Sequence, residues 1–161
     1  MLLREKHLPR EVRADLARSL YARLEAVGGL LLVGSGPTLS AHVVHLAAAD
    51  PVPSGGPLWY GRSCHSRDDV ARAAAEGCSY ATLSPVFASA SKPGYGPALT
   101  VTGLAALPLP TWALGGVDAS NASDCLANGA SGVAVMGAIM RAADPAGVTA
   151  DILNAIGAPV S

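Results

Sequence analysis

The chain has 161 residues, half of them hydrophobic and 14% charged. That is enough for one domain, residues 1–161, with a sizeable core, and it excludes disorder as a general description. The net charge of -1, with Lys6 and Lys92 as the only lysines, leaves no basic stripe of the kind nucleic-acid binding requires.

No apolar run approaches the ~20 residues of a membrane helix. The start, Met1 to Lys6, lacks the long apolar region of a signal peptide. A cytoplasmic protein with neither membrane nor nucleic acid as partner is expected. Cys64, Cys78 and Cys125 form no CxxC pair, which argues against a disulfide framework and a structural zinc site.

In chain order, Leu2 to Lys6 predicts a short strand. Pro9 opens a helix in which Val12, Leu16, Leu20 and Leu24 recur every four residues, and Gly28-Gly29 stops it. Leu30 to Val33, Val43 to Leu46 and Leu58 to Ser63 read as strands, with a Pro/Gly-rich loop over Asp50 to Pro57. Ser66 and Asp69 have the spacing of a capping box, which predicts a helix ending at Gly77. Tyr80 to Leu83 is a strand, Pro85 to Pro97 a long loop, and Leu99 to Leu107 a place for a short helix. The strand Thr111 to Leu114 precedes a helix capped by Asp118 or Ser120. Gly132 to Val135 is the seventh strand, followed by helical stretches from Gly137 to Arg141 and from Pro145 to Ile156.

Alternation of apolar strands with helices predicts a parallel sheet covered by helices. An open doubly wound sheet and a TIM-type (β/α)₈ barrel both satisfy that pattern. No GxGxxG follows a strand, so the dinucleotide fingerprint is missing. Polar residues and glycines gather just after the strands, where barrel enzymes build their sites, and this favours the barrel.

His65, in Gly61-Arg62-Ser63-Cys64-His65-Ser66, falls between a strand end and a helix start. The partial positive charge of a helix start disfavours imidazolium and so suits a general base; a histidine that merely bonds backbone is the rival reading. Gly115-Gly116 and Met136-Gly137 follow consecutive strands, and such a pair favours a phosphate cradle of backbone amides over two plain turns. Arg4 and Lys6 are two apart on a strand and share a face, which suits an anionic ligand or else a solvated terminus. Ser89, Ser91 and Lys92 form a hydroxyl-rich loop ending in a cation, able to contact a phosphate or carboxylate or to serve as an ordinary loop. His45 is expected in the core or lining the barrel; His7 and His42 are expected at the surface.

Leu3-Arg4-Glu5-Lys6, Val44-His45-Leu46, Gly61 to Ser66, Pro85-Val86-Phe87, Lys92 to Gly96, Ala113 to Val117 and Gly132 to Met136 occur in the order seen in the thiamine phosphate synthase/TenI superfamily, which the chain resembles over nearly its whole length. The resemblance implies a (β/α)₈ barrel and one of two activities. The synthase joins a pyrimidine diphosphate to a thiazole phosphate and needs Mg²⁺. Its metal ligands resemble an Asn-Asp pair, replaced here around Gly34-Ser35, and an Asp in a GQxD segment, where Ala47-Ala48-Ala49-Asp50 keeps only Asp50. The thiazole tautomerase (TenI-like) branch aromatises a thiazole carboxylate phosphate without metal or other cofactor, and the chain resembles it more.

On that resemblance His65 is the acid/base residue of an S-x-H-S segment beginning at Ser63. Gly115, Gly116, Val135 and Met136 hold the phosphate, while Ser89, Ser91 and Lys92 contact the thiazole. Arg4 and Lys6 lie near the substrate carboxylate. The synthase and a non-catalytic phosphate-binding or regulatory relative are the alternatives. The family opens with a strand and helix before the segment matching Leu3 to Lys6, and the chain is shorter than the ~200 residues of small barrels. The first βα unit is therefore expected to be missing, and the open strand edges predict a homo-oligomer.

Overall fold

The computed structural model describes residues 1–5, 7–34, 43–54, 59–88 and 97–158. Seven strands and five α-helices are placed among them: β1 (Leu2–Leu3), α1 (Arg10–Glu25), β2 (Leu32–Gly34), β3 (Val43–Leu46), β4 (Trp59–Cys64), α2 (Arg67–Ala75), β5 (Tyr80–Leu83), β6 (Thr111–Leu114), α3 (Ala122–Ala127), β7 (Gly132–Ala134), α4 (Gly137–Met140) and α5 (Pro145–Ala155). A 3₁₀ helix spans Val101–Leu104 within the stretch expected to hold a short helix. The chain divides into two compact units, Met1–Arg62 and Ser63–Ser161.

In the first unit β1 pairs with β2, β2 with β3 and β3 with β4, all parallel. In the second, β5 pairs with β6 and β6 with β7, again parallel. Parallel neighbours point their C-terminal ends the same way, so the loops after them gather at one end of each sheet. Short runs rich in buried apolar residues make these strands. All four residues of β5 are buried, and Leu83, Val86, Leu104 and Val70 are fully enclosed.

Helix α1 departs from its expected face. Its buried residues are Arg13 and Ala17, whereas Val12 is 49% exposed. Leu16, Leu20 and Leu24 are half-buried, while Arg13 is enclosed with its Nε buried, a placement that hydrophobic periodicity alone misses. Helix α3 starts at Ala122 with Asn121 at its cap, after neither Asp118 nor Ser120. Asp118 Oδ1 instead accepts from Ser120 N at 2.9 Å, and Asn121 Oδ1 accepts from Asp118 N at 3.0 Å, so the two residues close a turn ahead of the helix. No helix among the described residues is long and apolar enough to cross a membrane.

In the first unit His45 is buried at 4% exposure, as expected. Burial first, and then the charge of Arg4, push its pKa down to about 4. The ring is therefore neutral in the folded chain, while in the unfolded chain it titrates near 6.5. As pH falls through the window from about 6.5 to about 4, the unfolded state takes up a proton that the folded state refuses. Folding stability drops by about 3 kcal/mol across that window and is unaffected by this group above it. Urea denaturation at pH 7.5 and pH 4.5 checks this: His45→Gln should show a smaller loss on acidification than the parent.

Candidate functional site

Helix α2 sets the position of His65. Ser66 caps it, with Oγ accepting from Asp69 N at 3.0 Å. Asp69 Oδ2 reaches back to accept from His65 N at 3.0 Å, and the same carboxylate pairs with Arg72. The expected capping pattern is thus extended by one residue to hold the histidine backbone. Burial works against the Asp69 carboxylate, but the His65 N–H, the Ser66 hydroxyl and Arg72 outweigh it and hold its pKa below the usual range. Ser66→Ala should lower stability by about 1 kcal/mol, read as a shift in the denaturation midpoint, because one helix-start N–H loses its acceptor.

The His65 ring is fixed as well. Its Nδ1 donates to the carbonyl oxygen of Ser84 at 3.0 Å, with Ser84 Oγ 3.3 Å away. A carbonyl can only accept, so the neutral ring carries its proton on Nδ1 and its basic lone pair is on Nε2. Ser84 N in turn donates to Cys64 O at 3.0 Å, joining the ends of β4 and β5.

From Ser84 the chain runs to a second feature. Val86 N donates to Leu114 O and Phe87 N to Gly115 O, each at 3.0 Å. At Ala88 the chain enters the wall of a cleft of about 240 Å³ that Gly115, Gly116, Val135, Met136 and Gly137 also line. Gly115 and Gly116 have φ of +92° and +67°. A Cβ on Gly115 would stand 2.8 Å from Pro85 Cα, and one on Gly116 2.6 Å from Ala88 O. Glycine is required at both, by backbone conformation and by space.

Gly115, Gly116, Val135 and Met136 are therefore brought together at the ends of β6 and β7, as the sequence predicts. His65 is not among the residues lining the cleft, but the segment Ser84 to Ala88 connects it to that wall. Ser63 lies on β4, two residues before His65. Arg4 is exposed in the first unit, and its Cγ is 3.2 Å from where a Gly34 Cβ would be. Lys6, Ser89, Ser91, Lys92 and His42 fall outside the described residues. Arg141, which sequence reasoning placed only at a helix end, lines the cleft. Its signal was the four-residue spacing from Gly137, one helical turn. Among the described residues, no group of three or more His, Cys, Asp or Glu is placed to hold a metal ion.

Parallel strands with helices among them, and polar and glycine residues at the strand ends, make an α/β fold of the kind that β/α-barrel enzymes use. Solved structures agree. A thiamine phosphate pyrophosphorylase from Pyrococcus furiosus superposes with a TM-score of 0.83 over 97% of this chain and 81% of its own, at 22% identity. A structure titled "Native KDPGal structure" gives 0.60 over 96% and 91%, at 16% identity. The family model described as "Thiamine monophosphate synthase" matches residues 1–139, and the chain belongs to that family. A putative thiamine-phosphate synthase of Geobacter sulfurreducens is 35% identical over 89% of this chain and 74% of its own length. The thiamine-phosphate synthase of Thermosynechococcus vestitus is 34% identical over 94% of this chain, which spans 47% of that relative. These names favour the synthase alternative over the tautomerase branch, which receives no specific support.

Proposed function

We propose that the chain binds a phosphorylated thiazole, with the phosphate in the Gly115–Gly137 cleft, and that its reaction is the synthase reaction for which its relatives are named. The observation that carries the binding half is the cleft itself: two obligatory glycines after β6 face the residues after β7, with backbone close enough to approach an anion. The relatives' names carry the reaction half. In that reaction the thiazole nitrogen bonds to the pyrimidine methylene carbon as the carbon–oxygen bond to diphosphate breaks. The departing charge calls for cationic groups at the leaving oxygen.

The Mg²⁺ that the family resemblance implies does not fit the donors present. Gly34 offers no side-chain oxygen, and the Arg4 stem packs where a side chain would begin. The Asp50 carboxylate accepts from Ala47 N at 2.7 Å, which ties it into its own turn. Among the described residues, one carboxylate already committed to its own turn is a poor seat for a hard divalent ion.

That misfit, with the fixed imidazole of His65, favours a second reading: proton transfer on a thiazole carboxylate phosphate. In it Nε2 takes a ring proton while Nδ1 stays bonded to Ser84 O. Incubating the protein with thiazole phosphate and pyrimidine diphosphate, with Mg²⁺ and with chelator, tests the first reading by formation of thiamine phosphate. Aromatisation of the carboxylate substrate, with no ligation under either condition, would instead establish the second. Binding of thiazole phosphate without turnover in either assay would leave a non-catalytic relative.

A further inference from the structure

The geometry points to Arg141 as the side chain that reads the ligand's phosphate charge. This rests on the proposal that the cleft holds a phosphorylated ligand, and it adds a cation to the backbone cradle.

Arg141 lines the cleft on the side of Gly137 and Ala138, and among the described residues no other lining residue is cationic. Its guanidinium is seated over Gly137: a Cβ added there would lie 2.6 Å from Nη1 and 3.1 Å from Nη2. The missing side chain of Gly137 is what lets the planar fork lie down at the cleft wall rather than stand off in solvent. Among the described residues Arg141 has no carboxylate partner, so its donors are not committed to an ion pair. Asp118, the one carboxylate among the described lining residues, is turned into its own loop, where Oδ1 accepts from Ser120 N at 2.9 Å and Ser120 Oγ at 2.6 Å. A guanidinium offers parallel N–H donors that match two phosphate oxygens, which a lysine ammonium does not.

The test compares thiazole phosphate with the unphosphorylated thiazole alcohol by titration calorimetry. The parent protein should prefer the phosphate. Arg141→Ala should cut that preference by about 10- to 100-fold, in line with loss of a hydrogen bond to a charged group, and leave affinity for the alcohol unchanged. Arg141→Lys should recover only part of it. Gly137→Ala retains the charge but displaces the guanidinium, so it should weaken phosphate binding alone and add nothing in the Arg141→Ala background. Arg141 is exposed, and its variants should melt with the parent.

A parent that prefers the phosphate, with Arg141→Ala preferring it equally, would overturn the role of Arg141 and leave the cleft standing. A parent indifferent to the phosphate would overturn the cleft and this inference together. Full additivity of Gly137→Ala with Arg141→Ala would overturn the seating of the guanidinium on Gly137.

Discussion

Gly116→Ala is expected to destabilise the chain by about 2–5 kcal/mol, the sum of a left-handed backbone penalty of ~1–2 and an overpacking cost of ~1–3. Both contributions are visible. The residue sits at φ +67°, and its new methyl would meet Ala88 O at 2.6 Å, Phe87 Cβ at 2.7 Å and Phe87 O at 2.9 Å. Two of those three atoms are backbone, which cannot rotate away. Gly28 provides the control. It has the same φ of +67° with nothing within 4 Å of a Cβ. Gly28→Ala should therefore lose only the backbone part. Thermal melting separates the two: the midpoint should fall by roughly 5–15 °C for Gly116→Ala and clearly less for Gly28→Ala. Equal shifts would mean that the Phe87–Ala88 segment yields freely and that the cleft wall is soft.

His65→Asn is the second large effect, and its size depends on the reaction measured. An asparagine amide can still donate to Ser84 O, so the loop joining β4 to α2 keeps its anchor while Nε2 disappears. If the chain aromatises the carboxylate substrate, that rate should fall by about 10²–10⁴, the usual worth of a positioned acid/base group. The ligation rate should stay within about tenfold, because bond formation at the thiazole nitrogen needs no proton to move. A large loss in ligation with intact ligand affinity would require a direct part for the imidazole in displacement.

Much of this was legible in the sequence, for physical reasons that differ by element. Val43–Leu46, Tyr80–Leu83 and Thr111–Leu114 are strands with the expected bounds, because short apolar runs flanked by polar or turn residues leave a buried strand little freedom of register. The α2 start was readable from Ser66 and Asp69 because capping is local chemistry. The pair Gly115-Gly116 marked one wall of the cleft because positive φ leaves few other residues possible.

What stayed hidden depended on tertiary placement. Arg13 is buried in α1 although an arginine reads as surface. Asn121 took the cap at α3 because Asp118 and Ser120 bonded each other first. Arg141 gained its place through the space left by Gly137 one helical turn before it, a spacing whose meaning shows only once the cleft is located. The sequence leaned to the tautomerase because the metal ligands expected of a synthase are replaced around Gly34 and before Asp50, whereas the relatives that match are named synthases.

The central claim is that the ends of β6 and β7 hold the phosphate of the ligand. Backbone amide shifts in a ¹⁵N spectrum, followed while thiazole phosphate is added, test it residue by residue. The account predicts saturable shifts at Gly115, Gly116, Met136 and Gly137 that the unphosphorylated alcohol does not reproduce. Saturable binding of thiazole phosphate that leaves those four amides unmoved would contradict it.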